Sequence, residues 1–123
     1  MEIIDSRYRD FKFTLSDVVA DNSSSSGFVL GPWARADQDL GNLGMVMEVD
    51  GRPVQIGSSA AILGHPLRSL VAAARLVARA HGTLEAGWIV LAGAATAAHP
   101  LSVGQHVRAT VQKLGSVAIH VGE

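Results

Sequence analysis

Cysteine is absent from the chain, so neither a disulfide framework nor a thiolate metal site is available to it. Positive charge is also scarce: ten Lys and Arg stand against eleven Asp and Glu, and no basic run occurs. Nucleic acid and anionic membrane surfaces are therefore poor partners. The apolar runs, such as Leu70 to Ala74 and Trp88 to Ala92, are too short to cross a bilayer. Met1-Glu2-Ile3-Ile4-Asp5 has neither the basic start nor the long apolar region of a signal peptide. A reduced, cytoplasmic setting fits these absences.

What is present is apolar: 48% of 123 residues, enough for one packed domain. Ile3 and Ile4 come at once, as if the chain were entered in mid-strand. Phe11, Phe13 and Leu15 alternate with Lys12 and Thr14, the period of a half-buried strand. Ser16-Asp17 suits the cap of a short helix through Val18 to Ala20. Asp21 to Gly27 is rich in serine and reads as a tight polar loop or a linker, with a strand resuming at Phe28-Val29-Leu30.

Met45, Met47 and Val49 alternate into Asp50-Gly51, a strong hairpin signal, and Pro53 puts the return strand near a sheet edge. One helix is expected over about 65–81. Pro66 suits its first turn, Leu67, Leu70, Val71, Ala74 and Val77 form an apolar stripe, and Gly82 ends it. Trp88 to Ala92 reads as a strand covered on both faces. Two alternating strands surround Leu114-Gly115. The sum is an α+β domain, mainly β, with one principal helix.

Several motifs carry more. Glu2-Ile3-Ile4-Asp5-Ser6-Arg7, Phe11-Lys12-Phe13 and Val19-Ala20-Asp21-Asn22-Ser23-Ser24 lead the chain. Leu63-Gly64-His65-Pro66-Leu67, Gly93 with Thr96-Ala97-Ala98, Gly104, and Leu114-Gly115-Ser116-Val117 follow. In this order they resemble the hydratase/decarboxylase family of the fumarylacetoacetate-hydrolase-like superfamily, over nearly the whole chain. The Phe-Lys-Phe, Gly-His-Pro-Leu and Thr-Ala-Ala variants look more like 4-oxalocrotonate decarboxylases than the related hydratases. The resemblance implies a mixed β roll or sandwich, and a single C-terminal catalytic-type domain over 1–123 that lacks its N-terminal side.

The resemblance also implies a Mg²⁺ site, open to Mn²⁺, held by three Glu. Glu2 matches one of them. The other two, a Glu-x-Glu pair, and a family lysine have no counterpart in these residues. Hard carboxylate oxygens suit such an ion. In the implied reaction a 2-oxo dicarboxylic acid chelates the metal through its 1-carboxylate and 2-oxo group, which stabilises the dienolate formed as CO₂ leaves. A hydratase would use the same chelate to add water.

Asp21, Asn22 and Ser24 are the implied catalytic loop, with Asp5, Arg7, His65, Gly93 and Thr96 as substrate-side residues. Ser23 replaces a common Ala, and Ala92 stands where relatives often carry a hydroxyl. Read without the resemblance, Asp21 and Asn22 suit an Asx turn, and Asp5 and Arg7 a plain strand-end ion pair or a pair around Glu2. The five histidines show no metal spacing. By resemblance the complete enzyme is a homo-oligomer that associates with a partner hydratase. The short chain alone is expected to be inactive, to bind Mg²⁺ weakly, and to self-associate through uncovered edges and apolar faces.

Overall fold

The computed structural model describes all residues, Met1–Glu123. Two antiparallel sheets and one long helix organise it. The smaller sheet pairs β1 (Glu2–Ile4) with β2 (Ser25–Phe28). Its register runs Glu2 to Phe28 and Ile3 to Gly27, then slips to Ile4 with Ser25. Ser26 is the extra residue of this bulge, a device that bends a strand and re-aims its side chains. Met1 and Val29 extend the pairing by exchanging two hydrogen bonds of 2.8 Å.

Between these strands lies a short helix, α1 (Leu15–Ala20). Its N-cap is Thr14, two residues before the expected start. The Thr14 hydroxyl accepts from the Asp17 amide, and the Asp17 carboxylate accepts from the Thr14 amide at 2.8 Å. This reciprocal box satisfies two otherwise orphaned donors. It also overrides the strand expected over Phe11 to Leu15. Residues 9–11 form a single 3₁₀ turn, with Asp10 and Phe11 at positive φ, so the alternating pattern never becomes a ladder.

The larger sheet has the order β4-β3-β5-β6, with β3 (Gly44–Val49), β4 (Arg52–Ser58), β5 (His106–Val111) and β6 (Gly115–His120), all antiparallel. Asp50 and Gly51 both take positive φ, as a tight primed turn requires. Pro53 lies on edge strand β4 beside a register shift, where its missing N–H breaks no inner ladder. Met1, Gly31, Pro32, Ala109, Val111, Leu114 and Val117 line a shallow cleft of about 190 Å³, so the small sheet leans on the β5–β6 hairpin.

Helix α2 (Pro66–Arg79) matches the expected one. His65 is its N-cap, with Nδ1 accepting from the Leu67 amide at 3.1 Å. At its C-terminus His81, not Gly82, takes the left-handed conformation (φ 59°), and the Gly82 amide closes on the Val77 carbonyl at 3.0 Å. Ser59–Arg79 taken together is apolar enough to resemble a membrane span. The chain turns at Leu63 and Gly64 (φ 50° and 77°), however, and the helix that follows has 14 residues. At about 21 Å it is shorter than the roughly 30 Å hydrocarbon core of a bilayer.

One expectation fails here, and the expected uncovered apolar faces are present. Trp88 to Ala92 forms no strand, and Trp88, Ile89, Val90 and Leu91 are exposed. The apolar stripe of α2 meets no cover, and no residue of the helix is buried. Only seven of 123 residues are buried, and the apolar ones among them are Leu43, Val49, Ile62 and Val107. The fold is α+β, mainly β with one main helix. Its layers present apolar faces that these residues alone do not close.

Candidate functional site

The residues expected to carry chemistry fall into two groups. The first surrounds the turn between α1 and β2. Asn22, Ser23 and Ser24 all take positive φ, at 50°, 55° and 58°. Three successive left-handed residues that are not glycine are costly, of order 1 kcal/mol each, and persist only where their surroundings hold them.

Arg7 does the holding. Its backbone amide donates to Asp21 Oδ2 at 3.1 Å, and its Nε donates to Asp21 Oδ1 in a charge-assisted contact. Its two terminal nitrogens donate to the carbonyls of Asp21, Asp5 (2.9 Å) and Ser25 (3.2 Å). The loop closes on itself through the Ser24 amide to the Asp21 carbonyl, 2.9 Å, and on β1 through the Asp5 amide to the Ser24 carbonyl, 2.8 Å. Arg7 thus ties the segment carrying Glu2 and Asp5 to the strained turn. The ion pair considered between Arg7 and Asp5 side chains does not form. Only the Asp5 carbonyl meets the guanidinium, and Asp21 is the carboxylate partner. Sequence spacing misses this pairing because fourteen residues separate Arg7 from Asp21.

Burial sorts the roles further. The Asp21 side chain is 7% exposed. Ser24 is 2% exposed, and its Oγ has no hydrogen-bond partner. A buried hydroxyl without a partner is uncommon, and it leaves one donor and its lone pairs unsatisfied. Glu2, Asp5 and Asn22 are exposed.

The second group lies at β4 and the start of α2. A Cβ on Gly57 would fall 2.7 Å from the Ala95 carbonyl oxygen and from Thr96 Cγ2, so Gly57 is the bare spot on which Thr96 rests. Gly93 (φ 108°) lies over Ile62. Thr96 therefore stands against β4 and not at the end of a central strand. His65 uses its Nδ1 lone pair for the helix cap and sits close to Gly41. No hydrogen bond joins this group to the Arg7–Asp21–Ser24 cluster. Gly57 escapes notice in the sequence because no motif surrounds it.

For a divalent cation, the fit is incomplete. No group of three or more His, Asp or Glu side chains converges anywhere in the chain. Glu2 offers one carboxylate on an exposed strand, and one monodentate ligand does not hold Mg²⁺ against its hydration shell. These residues do not form the implied site by themselves.

Comparison with known proteins identifies the family. The profile described as "Fumarylacetoacetate (FAA) hydrolase C-terminal" matches residues 3–122. A 4-oxalocrotonate decarboxylase from a Pseudomonas species is 64% identical over 118 residues, covering 96% of this chain and 46% of the relative. The TodF product hydratase of Pseudomonas putida is 40% identical over 119 residues, covering 95% and 44%. Among solved structures, the 4-oxalocrotonate decarboxylase of Pseudomonas putida G7, complexed with magnesium and adipate, superposes with a TM-score of 0.91 at 43% identity, over 97% of this chain and 46% of that one. The chain spans about half the length of the curated relatives it matches. With its residues matched almost from end to end, the chain belongs to the fumarylacetoacetate hydrolase C-terminal family.

Proposed function

We propose that these residues form the C-terminal half of a carboxy-lyase that removes CO₂ from 4-oxalocrotonate, a 2-oxo-hexenedioate, and yields 2-hydroxypenta-2,4-dienoate in meta-cleavage catabolism of aromatics. The observation that carries the reading is the margin of likeness: 64% identity to a decarboxylase against 40% to a hydratase. Hydration of the dienoate is the runner-up, supported by the same fold and the same loop. A purely structural or interaction role is a further reading, favoured by the incomplete ligand set.

The proposed division of labour follows the geometry. Ser24 Oγ, buried and without a partner, would donate to a carboxylate oxygen of the substrate. Asp21 and Arg7 neutralise each other, so their task is to hold the turn and not to offer net charge to the ligand. Asn22, exposed at the apex, would meet the substrate's polar end. Asp5, beside the clamp, would lie at the rim of the substrate site. His65, Gly93 and Thr96 would line its other wall once the remaining half is present.

Glu2 would supply one carboxylate to a Mg²⁺ (or Mn²⁺) whose other ligands lie outside these residues; when bound, the ion would polarise the 2-oxo group. A cytoplasmic setting, a homo-oligomer, and association with the hydratase that consumes the dienol complete the proposal.

The test is a protein joining this chain to the N-terminal half of the Pseudomonas putida decarboxylase, assayed with Mg²⁺. The account expects CO₂ from 4-oxalocrotonate. Hydration of 2-hydroxypenta-2,4-dienoate without CO₂ release would favour the hydratase. Neither product from a folded protein would favour the structural role.

A further inference from the structure

The outer face of the large sheet carries a pair of side chains unrelated to the loop around Ser24. His106 on β5 lies directly opposite His120 on β6. The His106 amide donates to Asp50 Oδ1 at 2.9 Å, and the Asp50 amide donates to the His106 carbonyl at 2.9 Å. Both backbone groups of His106 thus point toward β3, away from β6. The two histidines therefore form a non-hydrogen-bonded antiparallel pair, the class whose side chains approach most closely. Their ring centroids are 4.8 Å apart and the planes meet at 49°.

That spacing has a coordination meaning. An imidazole nitrogen sits about 2.0–2.1 Å from a divalent transition ion, and about 1.2 Å from its ring centre. An ion held by both rings would lie about 3.2 Å from each centroid. A centroid separation of 4.8 Å then corresponds to an N–metal–N angle of about 97°. This falls between the right angle of tetragonal sites and the wider angle of tetrahedral ones.

We propose that His106 and His120 form a two-ligand site for a borderline divalent transition ion (Zn²⁺, Ni²⁺ or Cu²⁺), with its remaining positions open to water. Imidazole nitrogens suit these ions and not Mg²⁺ or Ca²⁺, which take oxygen ligands. The site is separate from the one that Glu2 would serve and does not depend on the proposed reaction.

The charges around the pair are mixed: Asp50 lies at the His106 amide, and Arg108, next on the same face of β5, stands opposite Glu48 on β3. The double hydrogen bond to Asp50 fixes the His106 backbone and brings a carboxylate alongside it. His120 lies on the edge strand β6, open to solvent, so an ion needs no path through the protein. The pair also stands at the open end of the β5–β6 hairpin, opposite the turn at Lys113 and Leu114. An ion bound there would bridge the two strands just inside the hydrogen bond from the Val121 N–H to the Gln105 carbonyl at 2.9 Å.

Titration calorimetry of the chain with Zn²⁺ at pH 7.5 tests the proposal. One equivalent should bind, and millimolar Mg²⁺ should not compete. His106→Thr and His120→Thr should each weaken binding by about tenfold or more, since one of two protein ligands is lost. His81→Ala should leave it unchanged. Equal affinity in wild type and both Thr variants would overturn the proposal. Should a Thr variant misfold, the paramagnetic resonance spectrum of Cu²⁺ bound to the wild type decides alone: two imidazole nitrogens support the site, and one or none refutes it.

Discussion

Replacing Arg7 with Ala should loosen the Asp21–Ser24 turn far more than its half-exposed side chain suggests. The Asp21 side chain is 7% exposed and that of Arg7 is 49% exposed. Breaking a fully buried ion pair by removing one partner costs about 3–5 kcal/mol. An exposed pair contributes about 0–1 kcal/mol. With one partner buried and the other half open, a loss of about 2 kcal/mol follows, and that is roughly 30-fold in an equilibrium constant.

The loss should be local. The carbonyls of Asp5, Asp21 and Ser25 also lose their guanidinium partner. Three left-handed residues then stand without their brace. Hydrogen exchange resolved to the Asp5 and Ser24 amides reads this directly, since those amides bond the Ser24 and Asp21 carbonyls. They should exchange roughly 30-fold faster in Arg7→Ala if opening is the limiting equilibrium. Arg7→Lys should recover little, because a single ammonium cannot serve one carboxylate contact and three carbonyls at once.

Arg35 and Asp37 supply the control. They pair through two contacts of 2.8 and 2.7 Å, yet their side chains are 85% and 67% exposed. Arg35→Ala should leave exchange throughout the chain unchanged. Equal effects of Arg7→Ala and Arg35→Ala, or none from Arg7→Ala, would show that Arg7 does not brace the turn.

Further outcomes are open to measurement. The Asp17 carboxylate is held below its ordinary range, first by the Thr14 amide and then by the Thr14 hydroxyl. Its contribution to α1 is therefore present above the ordinary carboxylate pKa and lost as pH falls through the lowered folded value; the difference in α1 amide protection between wild type and Asp17→Asn should vanish over that acid range. Gly57→Ala should cost about 1–3 kcal/mol in urea unfolding, because its Cβ meets backbone at Ala95. Gly27→Ala, with open space at its Cβ, should cost far less. The uncovered stripe of α2 should make the isolated chain associate; light scattering should show a smaller species for Leu67→Glu with Leu70→Glu, and a monodisperse wild-type monomer at high concentration would contradict this.

Much of the fold was legible in local signals. Asp50-Gly51 announces the β3–β4 hairpin, the alternation around Leu114-Gly115 announces β5 and β6, and His65-Pro66 announces α2. Each is a property of a few adjacent residues. Phe11 to Leu15 misleads because its alternation competes with the Thr14–Asp17 box, and the box satisfies more backbone. Trp88 to Ala92 misleads for a deeper reason. A strand is a relation between two segments, and among these residues that apolar run meets no ladder partner.

The candidate site divides in the same way. Glu2 and the Asp21–Ser24 turn were visible as motifs, whereas the Arg7–Asp21 clamp and the bare spot at Gly57 are long-range contacts that no local spacing reveals.

In the proposed function Glu2 contributes a metal ligand and Ser24 a carboxylate-binding hydroxyl to a decarboxylase. Release of CO₂ from 4-oxalocrotonate by the joined protein, compared with Glu2→Gln and Ser24→Ala in the same background, tests it most directly. The account predicts release by the parent. Glu2→Gln should lose most of it and gain a raised Mg²⁺ requirement. Ser24→Ala should raise KM, by about tenfold for one charge-assisted hydrogen bond. Unchanged rates and constants in both variants of an active, folded parent would contradict it.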